Sequence, residues 1–185
     1  MRKLILFNMI TADGYFEGQD ADISWHKVDK EVNEFMIEQM KTTDTLLFGR
    51  KTFEVMEDYW PTKEAIAADP VIAEMMSSYL KIVFSTTRGK SEWKNARFFN
   101  GAVVEEAKEL KGQEGKNIFI FGSADLCRAL IKGNLIDEFR LMINPVTLGK
   151  GNPFFRSKMN LQLLKVKVFG NGNVLLCYQP LEERN

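Results

Sequence analysis

The stretch that most constrains the fold runs from Asn117 to Asn144, NIFIFGSADLCRALIKGNLIDEFRLMIN, and it reads as a strand, a tight turn, a helix and a return strand. Ile118 to Phe121 is an unbroken apolar run, which suits a strand covered on both faces better than one facing water. Gly122 ends it. Ser123 stands where a helix N-cap is expected, Asp125 puts a negative charge in the first turn, and Leu126, Ala129 and Leu130 recur at helical spacing until Gly133 closes the helix. Phe139 to Ile143 is the next strand. A glycine between a buried strand and a helix N-terminus lets backbone N–H groups come close to an anion, and the helix dipole favours negative charge there. The pyrophosphate of a dinucleotide fits that description. So does an ordinary turn, because the stretch lacks the three glycines of a full dinucleotide fingerprint. On these residues alone both readings stand.

The rest of the chain repeats the alternation. Lys3 to Met9 is a hydrophobic strand, and Thr11-Ala12-Asp13-Gly14 turns the chain so that Tyr15 and Phe16 enter a polar loop, where an aromatic pair can act as a lid. Asp29 is placed to cap an amphipathic helix that continues to Lys41, with Val32, Phe35, Met36 and Met40 on one face. Thr45 to Phe48 is a second strand, and Gly49-Arg50-Lys51-Thr52 leads from it into a helix containing Phe53 and Met56. Two cations sit at that turn, where a fixed guanidinium can hold a phosphate by two hydrogen bonds. Asp69-Pro70 opens a further helix with Ile72, Met75, Met76 and Tyr79 inward.

Lys81 to Phe84 is a third strand, followed by Ser85, Thr86, Thr87, Arg88 and Gly89. These hydroxyls and the positive charge suit a ribose or a phosphate, and equally a plain turn. Arg97 to Phe99 and Val103 to Lys111 read as a strand and a helix. Leu164, Val166 and Val168 alternate with Lys165 and Lys167, and Gly170-Asn171-Gly172-Asn173 turns the chain into Val174 to Tyr178 as an antiparallel hairpin. The sum is one α/β domain over residues 1–185, a mostly parallel sheet with helices on both faces and an antiparallel edge.

Composition narrows the partners. Twenty-five Lys and Arg balance twenty-five Asp and Glu among 185 residues, with no basic run, so nucleic acid and anionic membrane surfaces are not expected. No apolar stretch approaches membrane-spanning length, and the opening MRKLILFNMI lacks a cleavage site, which points to a cytoplasmic protein. Cys127 and Cys177 provide neither a disulfide framework nor metal spacing, and both are expected to be buried small hydrophobes with no metal bound. The Pro145 to Phe155 loop offers Phe154 and Phe155 beside several glycines. Together with the aliphatic hairpin it is expected to form a homodimer interface, unless both rings fold back into the core or line a pocket.

In order along the chain, Ala12-Asp13-Gly14-Tyr15, Leu47-Phe48-Gly49-Arg50-Lys51-Thr52-Phe53-Glu54, Val83-Phe84-Ser85-Thr86-Thr87, Phe119-Ile120-Phe121-Gly122-Ser123 and Asn144-Pro145-Val146-Thr147-Leu148-Gly149 beside Phe154-Phe155 resemble the dihydrofolate-reductase-like superfamily. Within it they resemble the RibD C-terminal domain family, the reductase domain of riboflavin-biosynthesis deaminase-reductases, over nearly the whole chain. The resemblance implies a three-layer α/β/α fold with NADPH across the carboxyl edge of the sheet. It implies that Arg50, flanked by Gly49 and Lys51, faces the 2′-phosphate and adenosine together with Ser85, Thr86 and Thr87. Thr52 and the turn Phe121, Gly122, Ser123, Ala124, Asp125 and Leu126 would hold the pyrophosphate, and Met9 and Phe16 would line the nicotinamide.

Asp29 is the nearest match to the carboxylate that folate-reducing members place at the start of the first helix, with Trp25 and His26 on the substrate side. The implied activity is NADPH-dependent reduction of a pyrimidine- or pterin-like heterocycle. It is most like 5-amino-6-(5-phosphoribosylamino)uracil reductase, with dihydrofolate or dihydropterin reduction and a non-catalytic NADPH-binding protein as alternatives. Two departures bear on the substrate: Phe7 stands where riboflavin-pathway members typically carry a lysine, and Asp58-Tyr59-Trp60-Pro61 replaces an Asp-rich segment. Related reductases commonly pair as two-fold homodimers.

Overall fold

A computed structural model describes residues 1–181. Its centre is β1 (Leu4–Thr11), buried at every position but Met9, because it lies between two parallel neighbours. These are β6 (Asn117–Phe121) on one side and β7 (Glu138–Asn144) on the other. The eight-stranded sheet runs β5 (Ala96–Phe99), β4 (Leu80–Phe84), β3 (Thr43–Gly49), β6, β1, β7, β10 (Val174–Pro180), β9 (Leu161–Val168). Its pairs are parallel up to β7, and β10 is antiparallel to both β7 and β9.

Alternate residues of β1 feed two cores, as the two-residue period of a strand requires. Leu4, Leu6 and Ile10 join Ala107 and Leu110 of α5 (Val103–Gly112) and Leu126 and Leu130 of α6 (Ala124–Lys132). Ile5 and Phe7 join Val32 and Met40 of α1 (Lys30–Lys41), Phe53 of α2 (Arg50–Tyr59), and Ile72 and Met76 of α4 (Pro70–Ser78). The result is a three-layer α/β/α fold. Burying a side chain of this size contributes about 1.5–3 kcal/mol, so the two cores dominate stability.

Several local expectations are corrected. Tyr15 and Phe16 do not lie in an open loop: they form β2 (Tyr15–Glu17), paired with the two-residue β8 (Asn152–Pro153). A further helix, α3 (Lys63–Ala68), is capped by Thr62. Asp69 precedes α4 without capping it, and its carboxylate accepts from Asn33 Nδ2 at 2.8 Å instead. Phe154 is only 2% exposed and lies 4.7 Å from Phe155 and 6.4 Å from Phe16, so the 145–155 loop turns its aromatics inward and presents no phenylalanine patch.

On the hairpin, Lys167 bends toward Glu31 at 3.1 Å and lies 4.5 Å above the Phe169 ring. Leu163, Leu164, Val166 and Val168 of β9 are left exposed.

Lys81 is a buried charge that periodicity conceals. Its Nζ donates to the carbonyls of Met76, Ser77 and Tyr79 at 2.8–3.0 Å and lies 4.5 Å over the Trp93 ring. The ammonium thereby closes the carbonyl end of α4, where backbone acceptors have no helical partner. Burial lowers its pKa to about 8. Lys81→Met keeps the stem but leaves those carbonyls unpaired, and should cost about 1–3 kcal/mol in denaturant unfolding. No loss of stability would contradict the capping role.

Candidate functional site

Neighbouring strands β3 and β6 send their chains in opposite directions. From β3 the chain passes through α2 toward β4, and from β6 it passes through α6 to β7, beyond β1. A crevice opens where connections diverge in this way, at the carboxyl ends of the strands. Pairing of β1 with β6 ends at Phe7 and Phe121, whereas pairing with β7 continues to Thr11 and Asn144, so the end of β1 stands up as one wall of the crevice.

The two turns at its floor are clasped together. Gly49 N–H donates to Ser123 Oγ at 2.8 Å, and Ser123 N–H donates to Thr52 Oγ1 at 3.1 Å. Gly122 and Ser123 both adopt left-handed conformations, with φ of +57° and +58°. A Cβ on Gly122 would stand 3.1 Å from Thr52 Cγ2 and 3.6 Å from Phe16 Cζ, so close packing of α2 requires glycine there before any ligand is considered.

Because Ser123 Oγ is used across the clasp, it does not cap its own helix, which corrects the capping expectation. The N-cap of α2 is Gly49, which has no side chain to offer. Two helices therefore begin side by side without side-chain caps, and their first-turn N–H groups carry the positive end of each dipole. Asp125 sits in the first turn of α6, exposed and paired with Arg128.

Met9 and Phe16 are not brought together. Met9 packs with the α1-side core, and Phe16 packs with the α6-side core. Asn8, just before Met9 on β1, is buried, and its Nδ2 reaches the Gly122 carbonyl at 3.5 Å.

A cavity of about 360 Å³ lies at the ends of β4 and β5, lined by Ser85, Thr86, Thr87, Arg88, Gly89, Phe98 and Asn100. Ser85 Oγ accepts from the N–H of Thr87 and of Arg88, so it shapes the turn, whereas Thr86 and Thr87 are exposed. The cation on this wall is Arg88, the positive charge that the sequence sets beside these hydroxyls. Its guanidinium lies 5.5 and 5.7 Å from the Phe53 and Phe98 ring centres and 2.7 Å from Glu57. Arg50, the first residue of α2, places Nη1 against both Glu54 oxygens at 3.0 and 2.8 Å, and Lys51 is exposed.

On the opposite flank, Asp29 is exposed and its Oδ1 accepts from Val32 N–H at 3.0 Å, as the N-cap of α1. Trp25 meets His26 edge-on at 4.4 Å. His26 is half-buried and not on the open surface; burial lowers its pKa to about 4 against the opposing pull of Asp22. Its ring is therefore neutral at pH 7 and has no imidazolium proton to give.

Two asparagines absent from the sequence reading of the site hold this segment. Fully buried Asn144 accepts from Lys27 N–H through Oδ1 at 2.9 Å, and fully buried Asn173 donates to the Lys27 carbonyl at 2.8 Å. A polar residue closing an apolar strand was the available signal. Asp13 accepts from Leu148 and Gly149 N–H groups and from Thr11 Oγ1, tying the 145–153 loop to the end of β1. The Thr11 hydrogen bond, followed by that of Gly149, lowers the Asp13 pKa. Among the described residues no group of three or more side chains could hold a metal ion, and no helix is long and apolar enough to cross a membrane.

Comparison with known proteins identifies the family and the fold. The uncharacterized protein YyaP of Bacillus subtilis (strain 168) is 33% identical over 180 residues, covering 96% of this chain and 94% of its own. A putative riboflavin biosynthesis protein from Shewanella sp. PV-4 has the same fold at a TM-score of 0.73 and 21% identity, over 97% of this chain and 99% of that one. A Thermotoga maritima diaminohydroxyphosphoribosylaminopyrimidine deaminase/5-amino-6-(5-phosphoribosylamino)uracil reductase shares the fold at a TM-score of 0.69 and 14% identity, where 97% of this chain covers 57% of that longer one. Residues 2–175 match the RibD C-terminal domain, and the chain belongs to that family.

Proposed function

We propose that this protein is an NADPH-dependent reductase of a pyrimidine- or pterin-like heterocycle, nearest in type to 5-amino-6-(5-phosphoribosylamino)uracil reductase. The observation that carries the reading is the pair of uncapped helix N-termini at the switch point, clasped through Ser123, Gly49 and Thr52. N–H groups of Arg50 to Thr52 and of Ala124 to Leu126 would hold the pyrophosphate. The cavity at Ser85 to Gly89 would take the adenosine end, with Arg88 and Arg50 as cations near the 2′-phosphate. Bound NADPH supplies the hydride, and the protein supplies orientation. The Lys27 peptide, gripped by Asn144 and Asn173, would keep Trp25 in place on the substrate side.

Phe7 is buried and its ring centre lies 6.2 Å from Phe119 and 6.1 Å from Phe121, so β1 offers a substrate phosphate no cation at this position. That weakens the phosphoribosyl substrate within the proposed class. A panel of pterins, 5-amino-6-(5-phosphoribosylamino)uracil and simple quinones, followed by NADPH consumption, tests the activity. Failure to oxidise NADPH with any of them, combined with tight NADPH binding, would favour the non-catalytic nucleotide-binding reading. A specific observation favours that reading: the Asp29 carboxylate is engaged as the N-cap of α1.

Cofactor choice follows from the two arginines. NADPH should bind more tightly than NADH by titration calorimetry, and Arg50→Ala should remove roughly 1.5–3 kcal/mol of the difference. If Arg88→Ala removes it while Arg50→Ala leaves it intact, the phosphate belongs at the cavity wall. Asp29→Asn preserves a good N-cap but cannot pass a proton, so a catalytic carboxylate predicts a large fall in kcat at unchanged stability. Unaltered kcat would leave Asp29 as a cap alone.

The assembly we propose is a homodimer through exposed β9, since a long aliphatic edge strand invites pairing. Sedimentation equilibrium at micromolar concentration should give a dimer that Val166→Asp dissociates. A monomer of the unmutated chain would remove the proposal.

A further inference from the structure

Arg50, Glu54, Arg88 and Glu57 form a row of alternating charge beside the proposed adenosine cavity. Arg50 spends one nitrogen, Nη1, on both Glu54 oxygens, at 3.0 and 2.8 Å, so this is not the parallel fork that makes guanidinium–carboxylate pairs strong. Both side chains are more than a third exposed, at 39% and 36%, and a pair in that setting is easily exchanged. On its other side Glu54 Oε1 stands 4.0 Å from Arg88 Nη1. Arg88 is fixed by Glu57 at 2.7 Å and by the Phe53 and Phe98 rings, so it stays when Arg50 changes partner.

We propose that Glu54 sets how strongly this protein discriminates NADPH from NADH, by competing with the ligand's 2′-phosphate for the guanidinium of Arg50. This rests on the NADPH reading above. The row carries two positive and two negative charges before ligand arrives, so its carboxylates offset part of the attraction that the arginines offer a 2′-phosphate. Glu54 lies within 4.0 Å of both guanidinium groups, and its carboxylate therefore opposes an anion approaching either one. When the phosphate takes Arg50, Glu54 has Arg88 as a waiting partner and is not left uncompensated. Glu54 thus acts as a specificity-determining residue that tempers affinity for the phosphorylated cofactor and leaves NADH untouched, because NADH lacks the group that competes.

Glu54→Gln keeps the length and hydrogen-bonding capacity of the side chain and removes its charge. Titration calorimetry of NADPH and NADH on the full chain should show NADPH binding about three- to tenfold more tightly in the variant, as expected for deleting one like charge a few ångströms away in a solvated site. NADH affinity should stay within about twofold. Adenosine 2′,5′-bisphosphate should follow NADPH, and adenosine 5′-monophosphate should follow NADH. An unchanged ratio of the two cofactors' affinities in a wild type that prefers NADPH overturns the role of Glu54 alone. A lowered ratio also overturns it, since Glu54 would then be holding Arg50 in place for the phosphate. A wild type that binds both cofactors equally, or neither, overturns the NADPH reading and this inference with it.

Discussion

The hydrogen bonds joining Gly49, Ser123 and Thr52 are the constraint on which the site depends. They draw the β3–α2 and β6–α6 turns together, although α2 and α6 pack on opposite faces of the sheet. The left-handed backbone at Gly122 and Ser123 is the cost, of order 1–3 kcal/mol for a non-glycine residue held in such a conformation. In return, the hydroxyl that would have capped α6 is turned sideways, and two helix N-termini are left open to the same crevice. An anion bridging them would satisfy donors that the protein leaves without a side-chain partner.

Around that floor the remaining contacts act as buttresses. Asp13 ties the 145–153 loop to the end of β1, and Asn144 with Asn173 fixes the peptide of Lys27. Both devices use buried or charge-assisted hydrogen bonds on main-chain groups, which hold position better than exposed side-chain pairs. The Arg50 to Arg88 flank is different. Its arginines and carboxylates are partly exposed and mutually neutralising, which leaves it easier to rearrange than the clasped turns.

Much of the fold was legible because apolar runs such as Ile118 to Phe121 permit little besides a buried strand, and the Asn117 to Asn144 unit folds as read. The Asp29 cap and the glycine turn at residues 170–173 were also local decisions, visible in a few residues. What escaped depended on contacts distant in sequence. Ser123 looks like an N-cap until Gly49, far away in the chain, claims its hydroxyl. Phe154 and Phe155 look like a surface patch until Phe16 and Phe139 are found against them. Lys81 reads as an ordinary strand-start lysine, and only the placement of α4 and Trp93 makes it a buried cap.

Titration of the isotopically labelled protein with NADP⁺, followed by backbone amide chemical shifts, tests the central claim most directly. The account predicts that the amides of Arg50 to Thr52 and of Ala124 to Leu126 shift together and saturate along one binding curve, because a single pyrophosphate bridges both helix ends. Shifts confined to one helix, or absent from both at saturating ligand, would contradict it.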